Sequence, residues 1–169
     1  MLETNGIDIF DQIDKADAIC ITTNCSVFVE KTLNINPMGA LAGAAANRWE
    51  DIPYLYARGI LQAGAVPLII GFIDKKEVNK LISFSNLLDV DYNKYTALVA
   101  YPTMYKIGQP ADLALVERSA TLLLEMANRL SWTKIYLGAP GIGVGGLNYL
   151  DVKSKLTPIF DNRFVVMQK

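Results

Sequence analysis

The 169-residue chain contains no histidine. That absence removes Ser-His-Asp and Cys-His nucleophile systems, His-ligated zinc, and any imidazole acid or base. Chemistry must then rest on carboxylates, Lys, Tyr, Cys, backbone N–H groups, an oxygen-ligated metal or the substrate itself. Only two cysteines occur, Cys20 and Cys25, with no CxxC and no second ligand pair, so no metal site is expected. Two free thiols suit a reducing compartment. An excess of one charge is also missing. The 16 Lys plus Arg and 17 Asp plus Glu leave a net charge of −1. No basic stripe appears, which disfavours direct nucleic-acid binding through phosphate neutralisation. Long hydrophobic runs are absent as well. The longest, Ala63 to Ile73, is broken by Gly64, Pro67 and Gly71 and is too short to cross a bilayer. The segment Met1-Leu2-Glu3-Thr4-Asn5 lacks the basic and apolar regions of a signal peptide. A cytoplasmic protein without a membrane partner is the expectation.

Apolar residues make up 51% and charged residues 20%, a globular composition. The length and the lack of any linker or repeat predict one domain over residues 1–169. Ala18-Ile19-Cys20-Ile21-Thr22-Thr23 is a β-prone run, apolar on both faces, as a buried central strand requires. Val66 to Ile73, Thr96 to Tyr101, Lys134 to Leu137 and Phe164 to Met167 read alike. Helical patterns alternate with them. In Ala111 to Leu130 the residues Leu113, Val116, Ala120, Leu123, Ala127 and Leu130 form one stripe behind Pro110 and Asp112. Gly39 to Trp49, Asp51 to Gly64 and Leu150 to Phe160 are the other predicted helices. Strand–helix alternation means a layered α/β domain. Lys75 to Asn93 is poorly determined, with a strand expected at Leu81 to Phe84.

Between a predicted strand and a predicted helix lies Pro140-Gly141-Ile142-Gly143-Val144-Gly145-Gly146-Leu147, four glycines in six residues. Glycines let the backbone approach a ligand closely and turn its N–H groups inward, a cradle suited to a diphosphate. Gly141, Gly143 and Gly146 also satisfy GxGxxG. A dinucleotide half-domain, however, would need several strands and an acidic residue after it, and too little chain remains. No GxxxxGK[ST] occurs. The plainer alternative is a tight turn without a ligand. In an open α/β sheet, ligands sit beyond the carboxyl ends of the strands. Asn24 at the end of the first strong strand, the helix start at Gly39 and the glycine loop all fall there. For Asn24 the competing reading is a buried amide satisfying loop backbone.

These features, taken together, resemble the macrodomains, the ADP-ribose-binding α/β/α modules. The likeness is greatest to a bacterial and phage-type branch near the ADP-ribosyl glycohydrolase macrodomains. The residues that carry it are Asp8-Ile9-Phe10 before Ala16-Asp17-Ala18-Ile19, Thr23-Asn24, and Met38-Gly39 leading into Ala44-Ala45-Ala46-Asn47-Arg48-Trp49. Tyr101-Pro102-Thr103, Leu115-Val116-Glu117-Arg118-Ser119, and Pro140 through Val152 complete it. The resemblance implies a three-layer α/β/α fold with a mixed central sheet and ADP-ribose or a related nucleotide as partner, with no cofactor. It implies Asp8 at the adenine amino group with Ile9 beside it, and Pro102 and Thr103 lining the adenine side. It also implies Asn24 at the distal ribose, Met38, Gly39, Ala40 and Leu41 as a first binding loop, and Gly141 to Leu147 on the diphosphate.

An ADP-ribosylated macromolecule is a further implied partner. Hydrolysis of an ADP-ribosyl link or of ADP-ribose 1″-phosphate is an implied activity, with Asn24 in the catalytic role. The chain departs from relatives in five places. Ala40-Leu41-Ala42 stands where a second glycine is usual. Ala46 or Asn47 and Gly145 stand where some hydrolytic relatives carry a lysine and an aspartate. Ile7 replaces a glycine before Asp8, and the first strand is almost missing. Among other residues, Cys20, Trp49 and Tyr54 are expected in the core, Cys25 as a loop thiol, and Asp11, Asp14 and Asp17 as solvated or capping carboxylates.

Overall fold

The computed structural model describes residues 1–29, 33–35, 40–83, 91 and 93–168. Strands β1 (Leu2–Asn5), β2 (Ala18–Asn24), β5 (Leu68–Asp74), β6 (Leu81–Ile82), β7 (Tyr95–Met104), β8 (Ile135–Gly138) and β9 (Phe164–Gln168) form one sheet. Their order is β1-β9-β8-β2-β7-β5-β6. The first five strands in that order run parallel, and β5 and β6 join antiparallel at the far edge, so the sheet is mixed. Two short strands, β3 (Val27–Val29) and β4 (Leu33–Ile35), pair separately.

Period-two alternation divides the buried strand residues between two apolar layers. Ile19, Ile21, Leu98, Ala100, Val165 and Met167 face one cluster, which contains α1 (Ala40–Arg48) and α2 (Ile52–Ala63). Cys20, Ala97, Val99, Tyr101, Phe164 and Val166 face the other, which contains α3 (Leu113–Arg129) and α4 (Tyr149–Leu156). Central strands buried on both faces explain the unbroken apolar runs. The result is the α/β/α sandwich with a mixed sheet that the sequence predicts.

α3 has the amphipathic stripe expected of it, with Val116, Ala120, Leu123 and Ala127 fully buried. Its start is fixed by Asp112, whose side chain accepts from Leu115 N–H at 2.9 Å. Pro53 sits in the first turn of α2, where its missing N–H costs no helical bond. Two fully buried hydroxyls are paired: Tyr101 donates to Val116 O at 2.6 Å, and Thr96 donates to Ala16 O at 2.9 Å.

Several expectations are corrected. The first strand is present: β1 pairs in parallel with β9, Leu2 opposite Val165 through Asn5 opposite Gln168. Mostly exposed residues escape a search for apolar alternation because an edge strand is held by backbone bonds. Further elements stand where no strand or helix is predicted, for Ile9–Lys15 forms a 3-10 helix and β3 and β4 pair antiparallel. Tyr54 is 46% exposed, outside the core where it was expected, while Trp49 is 3% exposed and buried. Asp17 is neither merely solvated nor a helix cap. Its Oδ2 accepts from Thr133 N–H at 2.6 Å, Thr133 Oγ1 at 2.9 Å and Lys134 N–H at 3.0 Å, closing the entry to β8. β6 ends at Ile82, and Phe84 lies outside the described residues.

Candidate functional site

The carboxyl ends of β1, β9, β8, β2 and β7 share one edge of the sheet, because these strands are parallel. The candidate residues are distributed along that crest. Asp8 follows β1, the glycine loop follows β8, Asn24 ends β2, and Pro102 and Thr103 lie near the end of β7.

The glycine loop is held from below and open above. Ala139 N–H donates to Met167 O at 2.9 Å, and Leu147 N–H donates to Gly141 O at 2.9 Å, which closes the loop on itself. Gly145 O accepts from Ala111 N–H at 2.8 Å, anchoring the loop to the segment before α3. Gly143–Gly145 forms a single 3-10 turn, and Gly146 N–H returns to Gly143 O at 3.0 Å. At such a turn the first N–H groups, those of Gly143 and Val144, have no partner within the turn. Gly143 and Gly146 have φ of +71° and +72°, and a β-carbon on either would meet open space. The left-handed backbone therefore turns the chain without placing a side chain in front of it. Gly141, also left-handed at φ +74°, is covered by Leu147, and Gly145 is buried against Ala111. Val144 is 68% exposed at the tip.

Asp8 caps the 3-10 helix, its Oδ1 accepting from Phe10 N–H at 2.9 Å. The residue is exposed, which leaves its carboxylate accessible to a ligand. Ile9 is 4% exposed and packs in the core, which leaves its main chain alone to meet a ligand. Leu41, in the first turn of α1, packs against the backbone of Gly138 at the end of β8. Ala40 begins that helix, while Met38 and Gly39 lie outside the described residues.

Asn24 is buried, and its Oδ1 accepts from Ser26 N–H at 2.9 Å, an Asx turn that ends β2. Its neighbour Cys25 donates its backbone N–H to Met104 O at 3.0 Å, and Ile107 N–H donates to Ser26 Oγ at 2.7 Å. These two bonds tie the loops after β2 and β7 together. The Cys25 thiol lies 3.9 Å from the Tyr56 hydroxyl, and burial raises its pKa. A raised pKa keeps it a thiol, not a thiolate nucleophile.

Pro102 and Thr103 do not share a side with Asp8. β1 and β7 are four strand steps apart in the sheet, about 19 Å at ordinary strand spacing. An adenine that meets Asp8 cannot also lie against the end of β7. Both residues are buried, Thr103 Oγ1 donating to Thr23 O at 3.2 Å and Pro102 O accepting from Ser119 Oγ at 3.2 Å. The structure thus brings Asp8, the glycine loop, Leu41 and Asn24 onto one crest, and sets Pro102 and Thr103 beneath its Asn24 end. The loop beyond them exposes Tyr105 and Lys106, which the sequence does not single out.

No group of three or more His, Cys, Asp or Glu residues arranged for a metal occurs among the described residues. No helix among them is long and apolar enough to cross a membrane.

No family model matches the chain, and no curated protein matches it in sequence. Solved structures do match in fold. The macrodomain of Mycobacterium tuberculosis DarG superposes with a TM-score of 0.69 at 17% identity, covering 99% of this chain and 97% of that one. Thermus aquaticus DarG macrodomain gives a TM-score of 0.65 at 17% identity over 99% of this chain and 97% of that one. Thermosipho africanus DarTG in complex with ADP-ribose gives 0.70 at 12% identity, with all of this chain matching 42% of that one. With its sheet order, its two helical layers and these superpositions, the chain has the macrodomain fold.

Proposed function

We propose that this protein binds ADP-ribose, free or attached to a macromolecule, along the crest from Asp8 to Asn24. The observation that carries the reading is the glycine loop. It stands at the end of β8, two strand steps from Asp8 and one from Asn24, with the N–H groups of Gly143 and Val144 unused within its turn and open space in front of Gly143 and Gly146. The diphosphate rests on those N–H groups, which need no Lys or Arg to hold it. The adenine amino group donates to the Asp8 carboxylate, and the distal ribose lies toward Asn24. A protein of the same fold has been solved with ADP-ribose, which supports the choice of ligand.

Hydrolysis of an ADP-ribosyl link, or of ADP-ribose 1″-phosphate, is the second reading. The crest favours only a version in which the substrate's own phosphate assists, because Cys25 is held as a thiol and Gly145 supplies no carboxylate. A partner-binding module with a closed pocket is a third reading. It asks for Val144 and Leu147 to shut the cleft, but Val144 is 68% exposed and Leu147 folds back over Gly141.

Isothermal titration calorimetry with ADP-ribose, with ADP and NAD as controls, tests the first reading. Micromolar affinity, about −8 kcal/mol, with much weaker ADP binding is the expected result. Absence of heat at two temperatures would overturn it. Release of free ADP-ribose from an ADP-ribosylated substrate by the same protein would move the assignment to the second reading.

A further inference from the structure

The acidic end of the crest has two supports, the buried Ile9 after Asp8 and, before it, β1, the edge strand of the sheet. β1 has four residues, pairs with β9 alone, and exposes three of the four. From Asn5 the chain passes through Gly6, at φ +70° with open space around it, to reach Asp8. One face of α4 grips this strand. Lys153 Nζ lies 2.9 Å from Glu3 Oε1. Tyr149, four residues earlier and on the same helical face, has its phenol oxygen buried beside Glu3 and Gln168. The glycine loop runs directly into this same helix through Asn148, whose Oδ1 accepts from Leu150 N–H at 2.8 Å. A single short helix therefore joins the glycine loop to the strand that leads to Asp8.

We propose that Glu3, through Lys153, is a positioning residue that sets the distance between Asp8 and the glycine loop, and so the preference for a 6-amino purine. The inference rests on the ADP-ribose reading and goes beyond it, since neither Glu3 nor Lys153 touches the ligand. A carboxylate selects an amino group over a carbonyl only while it stays within hydrogen-bond reach. Freed from α4, β1 keeps its pairing with β9 and Ile9 stays in the core, but the β1 side of Asp8 loosens and the slack reaches its carboxylate through Gly6. The diphosphate contacts, on the other side of β9, are unaffected.

The test is calorimetric affinity of the whole chain for ADP-ribose and for its hypoxanthine analogue, in which a 6-oxo group replaces the amino group. The wild-type protein prefers ADP-ribose. Glu3→Ala and Lys153→Ala each lower that preference about three- to five-fold, the range an exposed ion pair can supply, and leave affinity for the hypoxanthine analogue unchanged. The exchanged pair, Glu3→Lys with Lys153→Glu, restores the preference, which a merely structural loss would not allow. A preference unchanged in both single variants, or an exchanged pair no better than either, overturns the positioning role. Wild-type protein that binds neither nucleotide overturns the ADP-ribose reading itself. Equal wild-type affinity for the two overturns the role of Asp8 and the positioning role with it.

Discussion

Ala111 and Gly145 hold two loops of the crest together. The Ala111 N–H donates to Gly145 O at 2.8 Å, and a β-carbon built on Gly145 would stand 2.8 Å from the Ala111 methyl. Gly145 has no left-handed φ, so space alone requires glycine there. The contact fixes the glycine loop against the entry to α3.

Gly145→Ala inserts a methyl where neither backbone nor the short Ala111 side chain can give way. Overpacking of this kind costs about 1–3 kcal/mol. Urea denaturation should report that loss, and ADP-ribose affinity should fall because the loop is pushed outward. A variant of native stability and affinity would show that the two loops are not tightly coupled.

Gly143→Glu tests the cradle without a steric clash in the free protein, since the space in front of Gly143 is open. A left-handed conformation costs an L-residue about 1–2 kcal/mol, so the variant folds with a modest loss of stability. Its carboxylate projects toward the proposed diphosphate position, and nucleotide binding should disappear. Circular dichroism and titration on the same sample check both halves, and undiminished affinity would sink the assignment of the loop.

Ser131 is the single described non-glycine residue with positive φ, at +55°, just past the end of α3. Trp132 N–H returns to Ala127 O at 2.9 Å, the bond of a Schellman ending, where glycine is the usual residue. Ser131→Gly should stabilise the fold by about 1 kcal/mol and raise the melting temperature by about 2–4 °C. A lower melting temperature would mean that the serine side chain contributes more than its backbone strain costs.

Stability should be flat across neutral pH and fall at both ends. The bond to Lys153 lowers the Glu3 carboxyl, and the bond to Arg163 lowers that of Asp161. Groups depressed on folding stabilise above their unfolded value and lose that contribution as pH falls through the folded one. The acid limb therefore opens below about pH 4.5, the ordinary Glu value. Both carboxylates are near the surface, so this limb is shallow and weakens with salt. Burial raises Cys25, and burial followed by the Glu3 carboxylate pushes Tyr149 up to about 12. Groups raised on folding stabilise fully below their unfolded value, and that stability is lost as pH rises through the folded one. The alkaline limb opens above 9.0, the ordinary thiol value. Chemical denaturation from pH 3 to pH 11 measures both limbs, and a protein most stable above pH 10 would contradict the assignment.

What the sequence revealed and what it hid follow from the same physics. Ile19 and Ile21 pack on one side of the sheet and Cys20 on the other, so β2 is apolar throughout and easily read. α3 buries one stripe and was equally plain. β1 is polar because its backbone pairing with β9, and the grip on Glu3, hold it in place of an apolar face. Nothing in its residues announces a strand. The glycine loop was legible from composition, because left-handed φ at Gly141, Gly143 and Gly146 demands that residue. The separation of Pro102 and Thr103 from Asp8 has another origin. Strand order is a tertiary property, and β7 lies beyond β2 from β8, on the side away from Asp8. Local patterns carry no information about that order.

The central claim is that a nucleotide diphosphate rests on the loop after β8. An amide-resolved NMR titration of the isotope-labelled protein with ADP-ribose tests ligand and location together. The account predicts saturable shifts at Gly143, Val144 and Gly146, with smaller ones at Asp8 and Asn24. It predicts none at the opposite end of the sheet, around Asp17, Tyr95 and Trp132. Silence at millimolar ADP-ribose, or shifts gathered at that opposite end, would contradict it.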